Sequence, residues 1–165
     1  MRPSSRAFSL LELILVMVIM GITTAVAAAR LSPLRRSEGV LQGAHALEDQ
    51  LNRGRRLALA QSELARVQLD LDAQTATVQM RTADGFADAK DADLPDADLR
   101  FGAEAQVISF VGADAKIQTN GLVDLLFYSD GRCEPSGSVT IQKGASLATV
   151  VCPAAGRPAY VEATP

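Results

Sequence analysis

The sequence predicts an α+β protein: a long amino-terminal helix, apolar and then amphipathic, followed by an antiparallel β-sheet head. Three observations carry this. A nearly unbroken apolar run extends from Phe8 to Ala29, apolar residues then recur at three- and four-residue intervals, and from Val67 onward they recur at every second residue. With 165 residues, of which 48% are hydrophobic, the chain has the size and apolar content for one domain plus an appendage.

The apolar run is interrupted only by Ser9, Glu12, Gly21, Thr23 and Thr24. As a helix it is roughly 33 Å long, enough to cross a hydrocarbon core of ~30 Å. Arg2 and Arg6 precede it, and Arg30, Arg35 and Arg36 follow, so charge alone does not orient it. Three readings compete. A secretory signal peptide would be cut after Ala25-Val26-Ala27 or Ala27-Ala28-Ala29. A permanent anchor would stay, and a third type of leader would be cut before the apolar helix. Glu12 separates them. A carboxylate in an apolar helix costs on the order of 3 kcal/mol to insert, so it is kept where it has a partner or a task. A discarded signal peptide has no use for it.

Pro33 is expected to kink or briefly end the helix. Beyond it Val40, Leu41, Ala44, Leu47, Leu51, Ala58 and Leu59 form one apolar face, with Gly39, Gly43 and Gly54 as weak points. Val67, Leu69 and Leu71 then alternate with polar residues, as do Ala76, Val78 and Met80, with a hairpin turn at 72–75. The Asp-rich stretch 83–98 is expected to be a surface loop. Further strands are expected at 106–111, 121–128, 138–142 and 147–152, with a turn at 143–146 and an edge strand within 157–162.

Composition excludes several functions. A net charge of −3 argues against phosphate-backbone binding as the main activity. No Trp, two Tyr and five Phe leave little for base stacking, and one His with two Cys cannot build a zinc site alone. Asp84, Asp88, Asp91, Asp93, Asp96 and Asp98 lack calcium-loop spacing and read as a solvated loop. His45 reads as a surface or packing residue, and Ser129-Asp130-Gly131 as a turn. Arg53, Arg55, Arg56 and Arg66 form one basic patch, suited to a solvated face, a neighbouring subunit's acidic loop or, less in keeping with the acidic chain, DNA. No catalytic arrangement, metal site or cofactor is expected. Cys133 and Cys152, the only thiols, are expected to pair in an oxidising compartment; the alternative is two buried free thiols.

The stretch Arg6-Ala7-Phe8-Ser9-Leu10-Leu11-Glu12-Leu13 resembles the cleavage and methylation motif of prepilins. The resemblance implies a leader at 1–7, cleavage between Ala7 and Phe8 by prepilin peptidase, and methylation of the new Phe8 amine. The family prefers Gly before the cut, where this chain has Ala7, the nearest residue in size. Glu12 would pair with the free amino terminus of a neighbouring subunit during assembly. Farther on, Leu125-Leu126-Phe127-Tyr128-Ser129-Asp130-Gly131-Arg132, a hairpin and a strand from Gly156-Arg157 resemble the end of H-type minor pseudopilins of type II secretion. Minor pilins of type IV pili share this pattern.

The resemblance therefore implies a pilin-like lollipop with a transmembrane helix at 8–30 and a periplasmic head at 31–165. The head would comprise an amphipathic helix at about 34–64 and a β-rich region at about 66–162. The expected role is a non-enzymatic minor pseudopilin, single-pass in the bacterial inner membrane. Its partners would be other pseudopilins, prepilin peptidase and membrane lipid, with no nucleic acid and no small-molecule substrate. The alternatives are a minor type IV pilin and a periplasmic binding domain with a cleaved signal peptide.

Overall fold

A computed structural model of the chain describes residues 10–89, 98–102 and 105–162, and for 27–37 the backbone alone. The chain divides into two units, Met1–Arg35 and Arg36–Pro165. One helix, α1, runs Leu10–Gln61, 52 residues, and continues through Pro33. The helix does not end there, even briefly: a proline removes one donor and crowds one carbonyl, a loss confined to a single turn. The helix also stops short of the expected Leu64, because Ser62 adopts a left-handed φ of 55° and turns the chain away.

Among the described residues eleven strands follow: β1 (Ala65–Asp70), β2 (Thr75–Thr82), β3 (Gly85–Asp88), β4 (Asp98–Arg100), β5 (Gln106–Gly112), β6 (Ile117–Gln118), β7 (Leu122–Phe127), β8 (Cys133–Glu134), β9 (Gly137–Lys143), β10 (Ser146–Cys152) and β11 (Tyr160–Glu162). They build two antiparallel sheets. The first has the order β3-β2-β1-β7-β8, with β4 also paired to β2; the second has the order β11-β10-β9-β5-β6.

Register follows from the two-residue period. Val67 sits opposite Val78 on one side and Leu125 on the other, so one face of the first sheet is continuously apolar. In the second sheet Val139 sits between Val150 and Phe110. These side chains are buried together with Val40, Ala44, Leu47, Leu51 and Ala58 of α1. The amphipathic half of the helix therefore completes the core of the second unit.

Two glycines of this helix, weak points in propensity, are also points of close approach. A Cβ on Gly43 would stand 2.6 Å from Ala105 Cβ and 3.9 Å from Ile141 Cγ2. A Cβ on Gly54 would stand 2.6 Å from Val67 Cγ2 and 3.4 Å from Phe127 Cδ2. The helix thus comes close to Ala105, just before β5, at Gly43, with Ile141 of β9 in ordinary contact, and to β1 and β7 of the other sheet at Gly54. The glycines lower helix propensity but allow the backbone to sit close to both sheets.

The Asp-rich segment departs from expectation as well. Gly85–Asp88 and Asp98–Arg100 are strands, both bonded to β2. Their cross-strand hydrogen bonds outweigh a composition that reads as loop. The two-residue strands β6 and β8 carry no alternation long enough to be seen in sequence, and the last strand begins only at Tyr160.

Candidate functional site

The apolar part of α1 is the first candidate. Every described side chain from Leu10 to Val26 is exposed, with Leu10, Leu11, Met17 and Met20 exposed by 78%, 76%, 67% and 65%. A helix apolar on all faces is suited to lipid or to apolar helices of neighbouring copies, because water would meet a large unpaired apolar surface. Its hydroxyls are already satisfied. Thr23 Oγ1 donates to the carbonyls of Ile19 and Met20 at 2.9 and 3.0 Å, and Thr24 Oγ1 donates to Met20 at 2.7 Å. Such back-bonding lets threonine sit in an apolar medium.

Glu12 lies in the first described turn of α1, on the exposed surface. A carboxylate there is favoured by the positive end of the helix dipole. Ala7 and Phe8, the expected cleavage pair, lie outside the described residues. Among the described residues no helix is long and apolar enough to cross a membrane. Within the amino-terminal apolar run the described side chains end at Val26, and those of Ala27–Ala29, counted toward the expected span, lie outside the described residues.

The basic patch is not a patch. Arg53 is buried, Arg55 half-buried and Arg56 exposed. Arg55 Nη2 donates to the Gly156 carbonyl at 2.6 Å, and Asn52 donates to Ala159 O at 3.1 Å while accepting from Ala159 N at 2.8 Å. These side chains strap the segment before β11 to the helix. Arg66 Nε donates to Gln79 Oε1 at 2.9 Å, Nη1 approaches Asp124 at 3.4 Å, and the guanidinium lies 4.3 Å from the Phe86 ring centroid. Arg55 and Arg66 are engaged within the fold and Arg53 is buried, which leaves Arg56 as the exposed cation of the four.

His45 is exposed and its Nδ1 lies 3.0 Å from Glu48 Oε2, a neighbour on the same helix. Asp84, Asp88 and Asp98 are described and exposed, while Asp91, Asp93 and Asp96 lie outside the described residues. Ser129-Asp130-Gly131 forms a tight bend: Gly131 N donates to Tyr128 O at 2.8 Å, and Asp130 accepts from Arg132 N at 3.0 Å. That backbone bond, with the Arg132 guanidinium beside it, holds the Asp130 carboxyl below the usual range. Next to it Tyr128 donates its phenol to Glu134 at 3.0 Å, which pushes the phenol up.

The two cysteines are brought together. Cys133 on β8 and Cys152 on β10 are both buried, unbonded, with sulfurs 2.8 Å apart. The hydrogen bond to Cys152 and then burial push the Cys133 thiol well up, the opposite of a reactive cysteine. Cys133 also borders an open cleft of about 490 Å³, lined by Phe110, Lys116, Arg132, Glu134 and Pro135. Lys116 is paired with Asp114 at 3.2 Å and Arg132 with Asp130, so its charges are answered locally.

Sequence reasoning missed Gln74. Its amide accepts from Val107 N at 2.7 Å and donates to Val107 O at 2.8 Å and Leu71 O at 2.6 Å, tying the β1–β2 turn to β5 of the other sheet. The signal was its place in a turn, where it takes a left-handed φ of 56°; its long-range partner leaves no local trace.

Comparison with known proteins joins the two halves. The prokaryotic N-terminal methylation motif matches residues 2–28, which include Ala7, Phe8 and Glu12. No curated protein matches the chain by sequence. The structure is similar to the crystal structure of the minor pseudopilin EPSH from the type II secretion system of Vibrio cholerae. The TM-score is 0.65 at 16% identity, over 78% of this chain and 96% of that chain. The chain thus carries the prokaryotic N-terminal methylation motif and has the α+β fold of that pseudopilin, a helix followed by antiparallel sheets.

Proposed function

We propose that this chain is a minor pseudopilin, a structural subunit of the periplasmic pseudopilus of a bacterial type II secretion system. The observation that carries the reading is the combination of a methylation motif at 2–28 with a pseudopilin-like head in one chain. Prepilin peptidase cuts between Ala7 and Phe8 and the Phe8 amine is methylated. The helix over 8–30 holds the mature chain in the inner membrane, its head in the periplasm, among other pseudopilins. The exposed apolar side chains from Leu10 to Val26, with the threonine hydroxyls bonded internally, support this placing.

Glu12 is the assembly residue. After cleavage its carboxylate pairs with the positive amino terminus of a neighbouring subunit, and in a low dielectric an unpaired partner costs several kcal/mol. The pair therefore selects register. Intact mass and terminal sequencing of membrane-extracted protein test the processing: the expected product starts at Phe8 and carries one methyl. A start at Ala28 or Arg30 would instead establish a cleaved signal peptide and overturn the reading.

A further inference from the structure

We infer that Cys133 and Cys152 are joined in the working protein by a disulfide that fastens the two sheets of the head to each other. β8 is the edge strand of the first sheet and β10 an inner strand of the second, so no backbone hydrogen-bond ladder connects them. The sulfurs lie 2.8 Å apart, less than 1 Å beyond a covalent S–S bond, and are buried at 4% and 2% exposure. Little movement is needed to close the bond. β8 is only two residues long and, among the described residues, pairs only with β7, through Leu126–Glu134 and Phe127–Cys133. A covalent link is what keeps so short a strand in place.

The oxidant is an oxidised dithiol–disulfide catalyst of the periplasm. One cysteine thiolate attacks that disulfide to give a mixed disulfide and releases one catalyst thiolate. The second cysteine thiolate then displaces the other catalyst sulfur. The protein gains one S–S bond and loses two protons, and the catalyst leaves as the dithiol. Burial and the raised Cys133 thiol make this chemistry slow in the folded head, so the bond forms while the chain folds and is afterwards shielded from reductants. It is a permanent staple, not a switch. The inference rests on the periplasmic placing above.

The test is peptide mapping of the full chain, extracted with membranes in the presence of an alkylating agent. Trypsin leaves Cys133 in residues 133–143 and Cys152 in residues 144–165. The expected species is the two peptides linked, two hydrogens lighter than their sum. Alkylation of both cysteines in protein that begins at Phe8 overturns the disulfide and leaves the pseudopilin reading intact. A start at Ala28 or Arg30 overturns that reading separately, whatever the thiols do. On purified full chain in detergent, reduction is expected to lower Tm by about 10 °C, and the double variant Cys133→Ser, Cys152→Ser to match the reduced protein. If that variant does not fold, reduced wild type alone supplies the comparison, and an unchanged Tm overturns the staple. Alkylation of the reduced, folded protein should be at least about 100-fold slower than of the unfolded chain. Equal rates would overturn the assignment of bond formation to the folding chain.

Discussion

Gly54 illustrates how a single hydrogen can decide the packing of a helix on a sheet. In an exposed helix Gly→Ala stabilises by about 1 kcal/mol. Here the new methyl would stand 2.6 Å from Cγ2 of Val67, a fully buried, β-branched side chain with one comfortable rotamer. Overpacking of this kind costs about 1–3 kcal/mol, so after the propensity gain Gly54→Ala is expected to lose up to about 2 kcal/mol net in urea denaturation. Tyr128 gives a pH-dependent counterpart. Its phenol donates to the Glu134 carboxylate, so the folded value lies above the ordinary 10.0. The bond's contribution is complete below pH 10 and is lost as pH rises through the raised value. In a Tyr160→Phe background, ultraviolet titration should show Glu134→Gln lowering the Tyr128 midpoint.

At the scale of elements, the strap between α1 and the last strand is the part most open to a test. Asn52 both donates to and accepts from Ala159, one residue before β11. Asn52→Ala removes both bonds and is expected to cost about 1–3 kcal/mol. Hydrogen exchange at residues 160–162 should quicken while β9 and β10 stay protected, since β11 holds the sheet only through Thr149–Glu162, Val150–Val161 and Val151–Tyr160. Most longer strands were readable because their apolar residues alternate: Val67 and Leu69, Val78 and Met80, Val139 and Ile141. What escaped reading has no local period. β8 has two residues, β3 and β4 are defined by their pairing with β2, and Gln74 acts on a residue 33 positions away. The basic patch misled for the same reason: three arginines close in sequence point in different directions on a helix, and only the fold shows which are taken.

For the whole molecule, the residues that propose its function and those that hold its head are separate sets. Glu12 lies in the first unit and the buried core in the second. Glu12→Ala is therefore expected to leave the thermal stability of the head unchanged, and to improve insertion by removing a charge from an apolar helix. What it should abolish is function in the filament, read by complementation of a secretion defect and by co-purification with other pseudopilins. Full complementation with normal co-purification would reduce Glu12 to a surface charge. The candidate site was legible at this end because its motif is local, a handful of residues at fixed spacing. The head was legible more loosely, through the order of its elements and the turn at Phe127–Gly131, because a fold can persist at 16% identity, where few individual residues still announce it.

The two close-approach glycines set a rule for how such a chain can change in length. Gly43 and Gly54 lie about three helical turns apart, so they share a face, and each docks against a different sheet. The helix between them works as a ruler for the two layers. One inserted residue would rotate everything beyond it by about 100° and turn Leu51 or Ala58 toward water. Seven or eleven would restore the face but carry one notch more than about 10 Å past its sheet. Variation in length is thereby pushed out of the helix and into hairpin ends such as Gly144-Ala145, where an added residue lengthens a turn and disturbs no layer.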